Sequence, residues 1–120
     1  SWDTSSVTDM GFMFMSCESL LTLDVSRWDT SHVLDMRGMF RLCSSLTSLE
    51  VCTWDISHVA NISYMFDGCS GLSDVDVSAW DTSSVEDLTY VFRDCLSLSG
   101  RDALAWDTSS LKKHTSWIFA

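Results

Sequence analysis

Five cysteines, three histidines and seventeen acidic residues are the side chains most able to do chemistry in this chain, and their spacing says what kind. Cys17, Cys43, Cys69 and Cys95 stand 26 residues apart, nothing like the C-x-x-C pairs from which zinc sites are built. With Cys52 they make an odd number, which cannot pair completely within one chain. His32 and His58 keep the same interval and could share a metal, but two nitrogens without a third ligand make a poor site. The acids fall into rows with the same step: Asp3, Asp29, Asp55, Asp81 and Asp107; Asp9, Asp35 and Asp87, with Asn61 in the third place; and Asp24, Glu50, Asp76 and Asp102. Rows of carboxylates could hold calcium, which takes several oxygen ligands per ion. No Ser/His/Asp or Cys/His set stands apart from the rows, and there is no Gly-rich phosphate loop. A periodic chain presents one side chain many times, whereas an active site needs unlike groups converging once. The expectation is a protein without enzymatic activity, cofactor or dedicated metal ligands, with a calcium-stabilised module as an alternative.

The interval belongs to the whole chain. Trp recurs at 2, 28, 54, 80 and 106, and Val7, Val33, Val59, Val85 and Leu111 follow in register. Phe14, Phe40, Phe66 and Phe92 form another column, and Leu20, Leu46, Leu72 and Leu98 a further one. Periodicity at 20–50 residues marks stacked-repeat architecture. The 120 residues therefore divide into units 2–27, 28–53, 54–79 and 80–105 with a partial fifth at 106–120, all in one domain spanning 1–120.

Each unit reads as three pieces. Leu20–Val25, Leu46–Val51, Leu72–Val77 and, more weakly, Leu98–Ala103 end in period-2 alternation, which predicts short strands with one buried face. The stretch from Met10 to Cys17 places apolar residues at 10, 13, 14 and 17; that spacing predicts one or two turns of helix, capped by the Asp9 row. Asp-Thr-Ser after each Trp is turn chemistry. No unit of this size buries its own apolar face, but stacked units bury it against one another, with parallel strands ~4.8 Å apart. The expected fold is α/β: a leucine-rich-repeat-like, right-handed solenoid with a parallel β-sheet on one side and short helices on the other. A parallel β-helix is the alternative.

The Trp, Met and Phe columns then read as a buried spine, and the four column cysteines as reduced core thiols, leaving Cys52 as the exposed one. The Asp3 row bonds the backbone of the Thr-Ser pair after it. The hydroxyl row Thr4, Thr30, Thr82 and Thr108, interrupted by Ile56, resembles the rows that order water in ice-binding solenoids. The third acidic row differs: it lies between two inward residues of the strand and so faces outward, with no local capping role to explain it. Together with its neighbours it predicts a protein-binding surface made of Thr22, Asp24, Ser48, Glu50, Asp74 and Asp76.

Charge narrows the partners. A formal charge of −10, with Lys112 and Lys113 the only lysines, argues against nucleic acid and anionic membranes. No apolar run approaches the ~18–20 residues that span a bilayer. A protein with a basic patch is the partner such a surface favours.

The unit Trp28-Asp29-Thr30-Ser31-His32-Val33-Leu34-Asp35-Met36-Arg37-Gly38-Met39-Phe40, with Cys43, Leu46, Leu49 and Val51, resembles the repeat of BspA-like surface proteins and related mycoplasma-type lipoproteins, which belong to the leucine-rich-repeat group. The resemblance covers essentially the whole chain. It implies a solenoid displayed at a cell surface, extracellular, and used for adhesion or protein binding, and it carries no catalytic residues to transfer. Departures gather late: Arg101 replaces an apolar strand residue, and Lys113, His114, Trp117 and Ile118 replace the capping and core residues of the fifth unit, as a degenerate cap would. The chain opens on a Trp-Asp turn without a polar capping repeat. That suggests a fragment of a longer array, or an accessory structural subunit of a larger assembly, an organelle assembly included, whose end another chain covers.

Overall fold

The computed structural model describes residues 3–98, and within them equivalent stretches of successive units lie side by side as coils. Strand β1 (Ser48–Leu49) pairs in parallel with β2 (Asp74–Val75), in the register Ser48↔Asp74 and Leu49↔Val75. Parallel bridges also join Asp9 to Asp35, Asp35 to Asn61 and Asn61 to Asp87. Both registers equal the interval of the sequence columns, so equivalent residues are neighbours.

The stretch expected to be helical is built differently. Among the described residues there is no helix; Met10 to Cys17 and its equivalents are overlapping turns. Met13, Met15 and Cys17 each donate their N–H to the carbonyl three residues back. The N–H groups between them leave the coil: Met10, Phe12, Phe14 and Ser16 donate to the carbonyls of Asp35, Arg37, Met39 and Arg41 at 2.7–2.9 Å. Coils two and three repeat this set toward their successors, each donor 25 residues before its acceptor. Alternate N–H groups thus stitch coil to coil, where a helix would keep every bond to itself. Two positions per coil take positive φ to make this work: Phe12, Gly38, Tyr64 and Tyr90, then Ser16, Leu42, Gly68 and Asp94. Each is the third residue of a turn whose class requires that conformation. At Gly38 the choice of residue is doubly constrained, since a Cβ there would overlap the Phe12 ring of the coil before.

The spacing at 10, 13, 14 and 17 still marks the inward side chains. Met36, Met39, Phe40 and Cys43, and Ile62, Met65, Phe66 and Cys69, are fully buried. Phe14, Phe40, Phe66 and Phe92 stack with centroids 5.4–5.7 Å apart and rings within 8° of parallel. Trp28 stacks on Trp54 at 6.3 Å, and the Trp54 and Trp80 indole N–H groups donate to the carbonyls of Val25 and Val51 at 2.8 Å. Each such aromatic contact adds ~0.5–1.5 kcal/mol beyond area burial, and each indole bond ties a strand segment to the turn beyond it. Trp2, Trp106, Asp102, Asp107, Thr108, the segment after Leu98 and the changed residues of the fifth unit lie outside the described residues.

The hydroxyl row is not a surface. Thr4, Thr30 and Thr82 are buried, and Thr4 and Thr30 donate to the carbonyls of Asp29 and Asp55 in the following coil at 3.1 and 2.9 Å. A row that order-matches water must face it, so the ice-binding comparison fails on burial. Ile56 fills the same buried place with a side chain that makes no such bond. In the first coil Phe12, Met13 and Met15 are 42–44% exposed, because no described residue covers that side. No helix of the described residues is long and apolar enough to cross a membrane.

Candidate functional site

Alternation in the strand segment places the predicted surface. Leu46, Leu49 and Val51, and Leu72, Val75 and Val77, are buried, which sends the residues between them outward. Thr22, Asp24, Ser48, Glu50, Asp74 and Asp76 are all exposed. They line two adjoining open depressions. One, of about 300 Å³, runs along Thr22, Leu23, Asp24 and Ser26 to Ser48 and Glu50. The other, of about 260 Å³, continues from Ser48 and Glu50 to Asp74 and Asp76 over Leu49, Val51 and Cys52. Ser48 and Glu50 belong to both, so the surface crosses three coils without a break.

One expectation about this row is corrected. Asp24 and Asp76 do have local partners: Asp24 accepts from the hydroxyl and N–H of Ser26 at 2.8 and 3.2 Å, and Asp76 from those of Ser78 at 2.6 and 3.0 Å. The serine hydroxyl first, and its N–H second, hold both carboxyls below the ordinary aspartate range. Aspartate is short enough to reach a residue two places on. Glu50 is longer and is followed by Cys52, and it makes no such turn. None of Asp24, Glu50, Asp74 and Asp76 lies within ion-pair distance of a cation among the described residues.

The other acidic rows use the same chemistry. Asp3, Asp29 and Asp55 each accept from the hydroxyl and N–H of the serine two residues on, at 2.6 Å and 2.9–3.0 Å. Asp81 accepts from the Ser83 N–H at 3.0 Å. All four carboxyls are lowered, chiefly by the serine hydroxyl. Asp9, Asp35, Asn61 and Asp87 cap the first of the overlapping turns through the N–H two residues later, at 2.8–3.0 Å.

Among the described residues no three His, Cys, Asp or Glu side chains converge as metal ligands would. His32 and His58 are exposed, and the Nδ1 of His58 donates to the Ser31 carbonyl at 3.2 Å. All five cysteines are free thiols. Cys43, Cys69 and Cys95 donate S–H to the carbonyls of Phe14, Phe40 and Phe66 at 3.0–3.1 Å. Burial pushes Cys43 up to about 11 and Cys95 up to about 12, and raises Cys69 as well. Cys52 is exposed beside the second depression.

A second charged cluster escaped the reading by columns. Asp67 is buried, yet its carboxylate accepts from Arg41 Nε at 3.0 Å, from Arg93 Nε at 3.0 Å and from Arg93 Nη2 at 2.9 Å. The Arg93 guanidinium lies 4.3 Å from the Tyr90 ring centroid, and that of Arg41 4.9 Å from the Tyr64 ring. The bond to Asp67 holds Arg93 above its ordinary value. The signal was visible in one column: Met15, Arg41, Asp67 and Arg93 put opposite charges in successive coils.

The stacking that assembles both clusters depends on a repeat kept in register from end to end, and comparison with known proteins finds kinship at that same scale. No curated protein and no solved structure matches the chain. A family model does, over residues 1–50 and 43–120, two overlapping stretches that together take in every unit of the repeat: the chain belongs to the family described as Mycoplasma protein of unknown function, DUF285.

Proposed function

We propose that this chain is a non-enzymatic binding module, a leucine-rich-repeat-like solenoid akin to BspA-like surface proteins, which presents its acidic strand-side face to a basic protein partner at a cell surface. The observation that carries this reading is the continuous run of carboxylates without an ion-pair partner along two open depressions. Asp24, Glu50, Asp74 and Asp76 face water without a cation of their own, so an incoming Lys or Arg would meet a complementary potential and displace no internal pair. Adhesion and surface display rest on the resemblance of the repeat.

The test compares two charge reversals of equal size. Glu50→Lys lies in both depressions; Glu18→Lys is exposed elsewhere. With an immobilised arginine-rich peptide as probe, Glu50→Lys is expected to remove salt-sensitive binding while leaving the melting temperature nearly unchanged, and Glu18→Lys to retain binding. Equal losses in both would assign attraction to net charge and dismiss the face.

A further inference from the structure

The Arg41–Asp67–Arg93 cluster spans three coils, one residue from each, and it is the one column of the described residues in which opposite charges occupy successive coils. We infer that this clasp fixes the order in which the coils stack. Nearly every other column would accept a wrong order. If the fourth coil docked on the second, Phe92 would meet Phe40, Cys95 would meet Cys43, Val85 would meet Val33 and Trp80 would meet Trp28, all pairs of the kind already present. The N–H donors that stitch coils would find carbonyls at the same offsets, because every coil repeats the same turns. A repeat this regular is therefore exposed to coil skipping and to exchange of coils between two copies, since identical surfaces offer alternative partners of similar energy.

The clasp breaks that degeneracy. A skipped junction would set Arg93 against Arg41 and leave Asp67 with neither guanidinium. Like charges at a contact, and a carboxylate stripped of its partners, are penalties that the apolar columns do not impose. Stability alone does not account for the arrangement. Buried ion pairs commonly gain nothing over apolar side chains of similar volume, and setting register is their best-attested use. Met15 occupies the same column in the first coil, so an apolar residue fits that backbone position. The Tyr64 and Tyr90 rings, at 4.3–5.5 Å from the guanidinium carbons, hold the arginines over the carboxylate.

The proposal is tested on the full chain with an apolar triple variant, Arg41→Met, Asp67→Leu and Arg93→Met, beside a charge-inverted one, Arg41→Asp, Asp67→Arg and Arg93→Asp. Each is unfolded in urea, refolded over a range of protein concentrations, and followed by fluorescence and size-exclusion chromatography. The apolar variant is expected to fold with its melting temperature kept or raised, yet to lose single-phase refolding and to form dimer whose fraction rises with concentration. The charge-inverted variant keeps the alternation and is expected to refold more uniformly than the apolar one. An apolar variant that refolds in one phase to monomer like the parent would overturn the inference. So would one that fails to fold at all, since the clasp would then supply stability and not order.

Discussion

On the strand side, Asp24 and Asp76 turn their carboxylates onto a serine two residues further along the same coil, whereas Asp67 on the turn side reaches Arg41 in the coil before and Arg93 in the coil after. Both arrangements satisfy a carboxylate. Only the second joins coils. A bond within two residues shapes a turn and leaves the remaining oxygen facing water, which suits a surface open to a partner. A bond across coils withdraws the charge from solvent and makes it part of the stack. The same residue type thus serves presentation in one region and cohesion in the other, and the length of chain between donor and acceptor decides which.

That contrast can be broken most sharply at Asp67. Replacing it with Ala is expected to cost on the order of 2–3 kcal/mol, less than a fully buried pair because the arginine side chains are 33% and 30% exposed and can turn to water. The urea midpoint of unfolding reads it, and Asp76→Ala is the matched control, expected to move the midpoint far less. Equal shifts would erase the distinction between the two regions. A smaller effect sharpens it from the backbone side: Gly38→Ala is expected to lose about 1–2 kcal/mol through the left-handed conformation, with a further cost from the Phe12 ring that must move. Smallest is the acid response. Serine bonds hold Asp3, Asp24, Asp29, Asp55, Asp76 and Asp81 below their ordinary 3.8, so as pH falls through that value the unfolded chain takes up protons that the folded chain refuses. Stability is expected to be level at neutral pH and to decline progressively below about pH 4. Asp24→Asn with Asp76→Asn should flatten part of that decline, as thermal melts across the acid range would register.

How much of this was legible in the residues differs from feature to feature. Inward apolar positions were legible, unlike the buried Thr4, Thr30, Thr82 and Asp67, because burial follows spacing: Met36, Met39, Phe40 and Cys43 face the core as their intervals require. The backbone beneath them was not, since a helix and a staircase of turns put the same four positions inside. What separates the two is the need for positive φ at two positions per coil, hinted at by Gly38 and Gly68 but masked by Phe12, Leu42 and the tyrosines in the same columns. The outward face of Asp24, Glu50 and Asp76 followed from alternation, but the local turns did not, although Ser26 and Ser78 stand two places after an aspartate where Glu50 is followed by Cys52. The clasp was lost by averaging. Reading columns for what they share discards a column whose meaning lies in how its members differ.

The stitching of alternate turn N–H groups to carbonyls 25 places ahead carries a consequence for length. An insertion or deletion of one residue inside a coil would put the donors before it out of phase with the acceptors after it at every junction that spans the change, while later junctions keep their interval. Gain or loss of a complete unit away from the clasp would leave each surviving junction chemically unchanged. The molecule can therefore grow or shrink in whole steps, and in nothing finer.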